Sequence, residues 1–219
     1  MSTANNLAAP AADLYQAWQV LRGEQPRLRA REAAAQLGVS EAELTASRLG
    51  IDAQRLRPDW AALLPALGEL GRVMVLTRNE HCVHERKGLY REVSVAASGQ
   101  MGLVVSADID LRLFLGGWAS VFAVAEETAK GIQRSIQVFD QQGVAVHKVY
   151  LTEHSELGAW QPLVERFAGE QSAELQLLPL PVAPAHKADA EIDSQALRDG
   201  WAKLQDTHHF FALLKKHEV

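Results

Sequence analysis

The chain closes on QDTHHFFALLKKHEV, residues 205–219, where two adjacent histidines stand among aromatic and aliphatic residues. Drawn as one continuous helix over 193–217, the apolar period puts Leu197, Trp201, Leu204, His208 and Phe211 on a single stripe. His208 then faces the apolar side. His209 projects about 100° further round, beside Gln205, Ala212 and Lys216. A neutral imidazole emerging from a wall of Trp, Leu and Phe suits axial ligation of heme iron, because the macrocycle needs apolar cover and the iron needs one nitrogen. The competing assignment is a hydrogen-bonded core histidine, the commoner state of a lone His on an apolar face. Lys215, Lys216 and His217 could meet propionates, although the helix dipole alone accounts for cations in a last turn.

A second group lies in DIDLRLFL, residues 108–115. Strict alternation sends Ile109, Leu111, Leu113 and Leu115 to one strand face and Asp110, Arg112 and Phe114 to the other. An arginine beside an aromatic ring on a sheet surface can cover a planar ligand, donate to a bound water or pair with a carboxylate. The alternative is an Asp110–Arg112 surface pair. Arg134, Lys148 and Tyr150 fall on other strands and read as solvated polar residues. His81 and His84, in NEHCVHE, read the same way, since an odd separation sends them to opposite strand faces.

Other chemistry is excluded by what the sequence lacks. It contains no G-x-S-x-G, P-loop, G-x-G-x-x-G or H-E-x-x-H segment, so local motifs announce no enzyme. Cys82 is the only cysteine, which rules out an internal disulfide and a multi-cysteine metal site. With 22 Lys+Arg against 27 Asp+Glu, the net charge of -5 offers nucleic acid or an anionic membrane no bulk attraction. No signal-peptide pattern and no membrane-length apolar run occurs, so the cytoplasm is the expected compartment.

The elements that must hold these residues follow from periodicity. A length of 219 residues at 47% hydrophobic content supports a real core. Residues 13–70 read as a helical cap, in which Gly38 ends one helix and Ser40 with Glu43 forms a capping box for the next. From 72 to 151 the period falls to two, and VMVLT, CVHE, LYREVSVAA, MGLVVS, DIDLRLFL, SVFAVAE, RSIQVFD and VAVHKVYL read as strands. Short connections, including the QQG hairpin, make the sheet antiparallel. An amphipathic helix follows at 153–168, a Pro- and Ala-rich linker at 169–192, and helix again at 193–219. AWQVL at 17–21 has a faint counterpart in GWAKL at 200–204, with Trp18 opposite Trp201.

Residues 108–160, from DIDLRLFLGGWASVF to LTEHSELGAW, resemble the bacterial cytoplasmic heme-utilisation family that includes HemS, ChuS and PhuS. LGVSEAEL, RNEHCVHE and DTHHFFALLKKH extend the likeness over nearly the whole chain, most of all toward the PhuS-type heme-trafficking branch. The resemblance implies an α+β fold: a large antiparallel β-sheet flanked by helices, forming one repeat over 1–168. Residues 193–219 would then be the first helix of a second repeat that the chain does not carry, as in a truncated fragment, with weak heme binding expected for this chain alone. It further implies heme, iron protoporphyrin IX, as the bound group, with His208 as iron ligand, His209 as an alternative ligand, and Arg112 with Phe114 on the distal side.

The implied function is intracellular heme trafficking, with imported heme delivered to a heme oxygenase. The alternative in the same pocket is heme degradation by an oxygenase-like activity. A third class, DNA binding, would use the helix-turn-helix-like spacing of AREAAAQLGVSEAELTASRLG with Arg29, Arg31 and Arg48; the competing reading is a cap packed on the sheet. Exposed Trp201, Leu204, Phe210 and Phe211 would allow a homodimer by helix exchange.

Overall fold

The structure, a computed structural model, describes residues 11–79, 81–180 and 188–217; the side chains of Asp189 and His208 fall outside that description. Helices α1 (Ala11–Glu24), α2 (Ala30–Leu37) and α3 (Glu41–Ala46) open the fold around Leu14, Trp18, Ala33, Ala34 and Leu44. Gly38 ends α2 at φ 68°, a left-handed conformation that glycine adopts without penalty. Ser40 accepts from the Glu43 amide at 3.1 Å, and the Glu43 carboxylate accepts from the Ser40 amide at 2.8 Å. The expected capping box is thus formed.

The cap is not helical throughout 13–70. Ala53–Leu56 forms strand β1: its residues, AQRL, favour helix, and antiparallel pairing with a longer apolar strand overrides that preference. Helix α4 (Trp60–Ala66) follows, capped by Asp59.

Eight further strands come next: β2 (Gly71–Arg78), β3 (Val83–Leu89), β4 (Val93–Val95), β5 (Met101–Val105), β6 (Asp110–Phe114), β7 (Trp118–Thr128), β8 (Gly131–Asp140) and β9 (Ala145–Ser155). They form a six-stranded sheet ordered β1-β7-β8-β9-β2-β3 and a three-stranded sheet ordered β4-β5-β6. Every pairing is antiparallel. LYREVSVAA is two strands rather than one, since Glu92 takes φ 47° and turns the chain from one sheet to the other. Helix α5 (Trp160–Arg166) covers the same core as α4.

That core draws Val73, Val75, Val121, Ile136, Val138 and Val149 from the large sheet and Ile109, Leu111 and Leu113 from the small one. The other face of β7 and β8 is also buried: Phe122, Val124 and Phe139 pack on Ala42 and Ala46 of α3. Burial on both faces explains why these strands read as nearly unbroken apolar runs. Gly143 closes the β8–β9 hairpin at φ 77°, and a Cβ there would lie 2.4 Å from Ser40 Oγ. Only glycine lets the turn seat against the α3 cap.

The chain forms two compact units, Met1–Pro179 and Leu180–Val219. Residues 169–178, expected as linker, lie along the first unit instead: Gln171 brackets the Arg55 backbone at 2.9 and 2.8 Å, and Leu178 donates to the Gln141 carbonyl at 2.8 Å. Residues 181–187 of that expected linker fall outside the described residues. In the second unit, α6 (Ser194–Ala202) and α7 (Phe210–Lys216) replace the expected continuous helix. The chain folds back through a tight turn in which the Asp206 backbone carbonyl accepts from the His209 amide at 3.1 Å, and Leu213 packs over Gly200, where a Cβ would sit 2.4 Å from its Cδ1. Trp201 and Phe210 close the pair edge to face at 5.0 Å.

One core residue is a histidine. His147, 1% exposed, stacks on Trp118 at 5.5 Å and lies 3.4 Å from the Tyr90 hydroxyl, and its Nδ1 has no hydrogen-bond partner among the described residues. Burial lowers its pKa to about 4, so it is neutral in the folded protein. The unfolded chain takes up that proton near pH 6.5; its stabilising effect is therefore complete above that pH and is lost as pH falls toward 4. Denaturant unfolding at steps between pH 7 and 4 should show an acid loss of up to about 3 kcal/mol that His147→Phe lacks. Parallel pH profiles for the two proteins would contradict this.

Candidate functional site

The three-stranded sheet has one buried and one open face. Its inward row of Ile109, Leu111, Leu113 and Leu115 is at most 9% exposed. The outward row is Asp110, Arg112 and Phe114, as alternation requires. Register sets Leu103 directly opposite Arg112, Met101 opposite Phe114 and Val105 opposite Asp110, so their side chains share this face. Phe114 is 68% exposed, Val105 42% and Leu103 40%. The Asp110–Arg112 pair is not formed, and among the described residues Arg112 makes no ion pair. The result is an apolar surface carrying the Arg112 guanidinium, with the Asp110 carboxylate at its end; beside Arg112 and Phe114 it suits a flat apolar ligand with an anionic group.

His208 and His209 belong to the second unit, in the single turn Thr207–His209 that leads into α7. The stripe that placed His208 in line with Leu197 and Trp201 does not exist, because the break between α6 and α7 resets the helical phase. The orientation expected for the His208 side chain lies outside the described residues. His209 is exposed. Arg112 and Phe114 therefore share a face in one unit, and the two histidines share a turn in the other.

Lys148 and Tyr150 are not the solvated residues their spacing implied. Lys148 is 6% exposed, and burial lowers its pKa against the opposing effect of Glu41. Burial likewise raises the Tyr150 phenol. The signal was their sharing β9 with Val149 and Leu151 beneath a helical cap, which sequence periodicity in β9 alone does not reveal. In the cap itself, α3 is buried, and Arg48 stacks over Trp18 at 4.6 Å while pairing with Asp52 at 2.6 Å. The cap packs on the sheet through α3, all of whose residues except Glu43 are buried.

Residues 38–167 match the haemin-degrading HemS/ChuX domain. The chain belongs to the HemS/ChuX family. The hemin transport protein HmuS of Yersinia pestis is 43% identical over 212 residues, covering 95% of this chain and 59% of its own length. The holo structure of PhuS, a heme-binding protein from Pseudomonas aeruginosa, is 71% identical at a TM-score of 0.84, covering 95% of this chain and 61% of PhuS. The heme degrading enzyme ChuS of Escherichia coli O157:H7 is 36% identical at a TM-score of 0.78, covering 96% of this chain and 60% of ChuS. The chain thus spans about three fifths of the length of these HemS-type relatives. Among the described residues, no helix is long and apolar enough to cross a membrane.

An outward row that does not support the fold can be changed without loss of stability. Arg112→Ala and Phe114→Ala should shift unfolding free energy by no more than about 0.5 kcal/mol, as surface positions do. Leu113→Ala, one residue away and 4% exposed, should cost about 2–5 kcal/mol. Urea midpoints for the three variants test this; a large loss from either outward variant would give that side chain a structural role.

Proposed function

We propose that this HemS/ChuX-family chain binds heme as cargo for intracellular trafficking, accepting imported heme and passing it to a heme oxygenase. The observation that carries the reading is the open sheet face, where Leu103, Val105 and Phe114 present apolar area around the guanidinium of Arg112, which has no ion-pair partner among the described residues. A porphyrin offers such a face a flat apolar disc, and its propionates or an iron-bound water offer Arg112 an acceptor. His208 supplies the imidazole for the iron and His209 is the alternative donor. A single exchangeable histidine bond suits a carrier, because cargo must leave as well as arrive. The relatives described as hemin transport and heme-binding proteins support this assignment.

The residue division of the family repeat follows the same reading. Residues 1–168 form the repeat, and 193–219 carry the iron ligand. Exposed Trp201 and Phe211, at 56% and 78%, are the side chains through which two copies would exchange these helices. Light scattering at high concentration counts the chains.

Heme degradation in the same pocket is the second reading, supported by the description of ChuS as a heme degrading enzyme. Turnover in the presence of catalase, with identification of the tetrapyrrole product, separates the two, since peroxide formed in solution can imitate enzymatic cleavage. A carrier gives no product under those conditions.

Heme titration followed by the Soret band tests the ligand assignment. His208→Ala should abolish or shift the band, and His209→Ala should retain it. Arg112→Ala should weaken binding about tenfold, the effect of losing one charge-assisted hydrogen bond. An unchanged spectrum in His208→Ala would overturn His208 as ligand.

A further inference from the structure

The large sheet's face toward the helical cap is apolar only along part of its width. Where β8, β9 and β2 meet it carries Ser135, Gln137, Lys148, Tyr150 and Arg78, and α1–α3 roof this polar stretch without filling it. The cavity left between them measures about 770 Å³, within the range of small-molecule sites, which run from about 300 to 1,000 Å³. Polar groups under a helical layer are costly unless partnered. Here the partnering is incomplete.

At the floor, Glu41 reaches down from α3 and is 6% exposed; its Oε2 accepts from Arg78 and from the Ala145 amide at 3.4 Å, while its Oε1 faces Lys148 Nζ at 3.6 Å and has no hydrogen bond among the described residues. Two cations therefore share one carboxylate, leaving an excess of one positive charge. Of the other lining cations, Arg48 pairs with Asp52 at 2.6 Å and with Glu126 at 3.5 Å, Arg22 pairs with Glu126 at 3.2 Å, and Arg29 and Arg31 are matched in number by Glu32 and Glu85 on the same walls. That excess belongs to protonated Lys148, a form that burial disfavours and Glu41 favours. Around this floor the walls include Trp18, Leu28, Leu44, Leu76 and Val83.

We infer that this cavity is a second ligand site, for an organic monoanion whose carboxylate sits on Lys148 and Arg78 and whose apolar body lies along Trp18, Leu28 and Val83. One excess charge at the floor matches one carboxylate. A dianion such as phosphate would leave a buried site net negative, an arrangement that desolvation penalises. Every residue of this site lies in the first unit, so it is independent of the heme reading and of His208.

Calorimetric titration of the full chain with decanoate tests the inference, with decanol and inorganic phosphate as controls. Saturable decanoate binding is expected, with both controls weaker by about tenfold or more, the value of one charge-assisted contact. Lys148→Met should weaken decanoate by the same factor. Because that variant leaves Glu41 with a changed environment, a second measurement uses the unmutated chain: acetic anhydride labelling read by peptide mass spectrometry. Decanoate should suppress acetylation at Lys148 and leave that at exposed Lys130 unchanged. Absence of saturable binding, equal binding of decanol, or unprotected Lys148 would each overturn the site.

Discussion

The pleat of β6 is the constraint on which the proposed heme surface depends. Ile109, Leu111, Leu113 and Leu115 are committed to the core, each side chain contributing roughly 1.5–3 kcal/mol through burial. Because successive side chains point to opposite faces, that commitment forces Asp110, Arg112 and Phe114 outward. A slip of one residue would expose the whole apolar row and bury a guanidinium, so the register is strongly specified. The exposed arginine and phenylalanine are thus held in place by residues committed to the core.

A second constraint arises where the large sheet is covered on both sides. β7 and β8 send Val121 and Ile136 to one apolar cluster and Phe122 and Phe139 to the other. The helical cap is secured at that apolar end, by Ala42 and Ala46 and by the glycine turn seated on Ser40. Over β9 and β2 the same cap meets the sheet through Glu41 of α3, which pairs with Arg78 and Lys148, a charged contact that cannot close as an apolar interface does. A cavity lies between.

Much of this was legible in the sequence, for identifiable reasons. Capping residues act locally, so Gly38, Ser40 and Glu43 could be assigned their roles from spacing alone. Strict alternation made both faces of β6 readable. What failed depends on tertiary contacts. β1 exists because β7 offers it a pairing edge, and Glu92 divides one apparent strand between two sheets. Gly200 breaks no helix by propensity; it makes room for Leu213 of the following helix, so a stripe drawn through 197–211 crossed a turn. Nothing in VAVHKVYL marks His147 as buried, because its burial follows from Trp118 and Tyr90, both distant in sequence. The family likeness supplied the roles of His208 and Arg112, which spacing had singled out without deciding between ligand and bystander.

The central claim is that the open face of β5 and β6 is a heme-contacting surface. Carbene footprinting of the chain with and without heme, read by peptide mass spectrometry, tests it most directly. Heme should protect Leu103, Val105 and Phe114 while leaving Val20 and Ile51, exposed at 62% and 57% elsewhere in the first unit, labelled as before. Labelling of Phe114 that is unchanged at saturating heme would contradict the account.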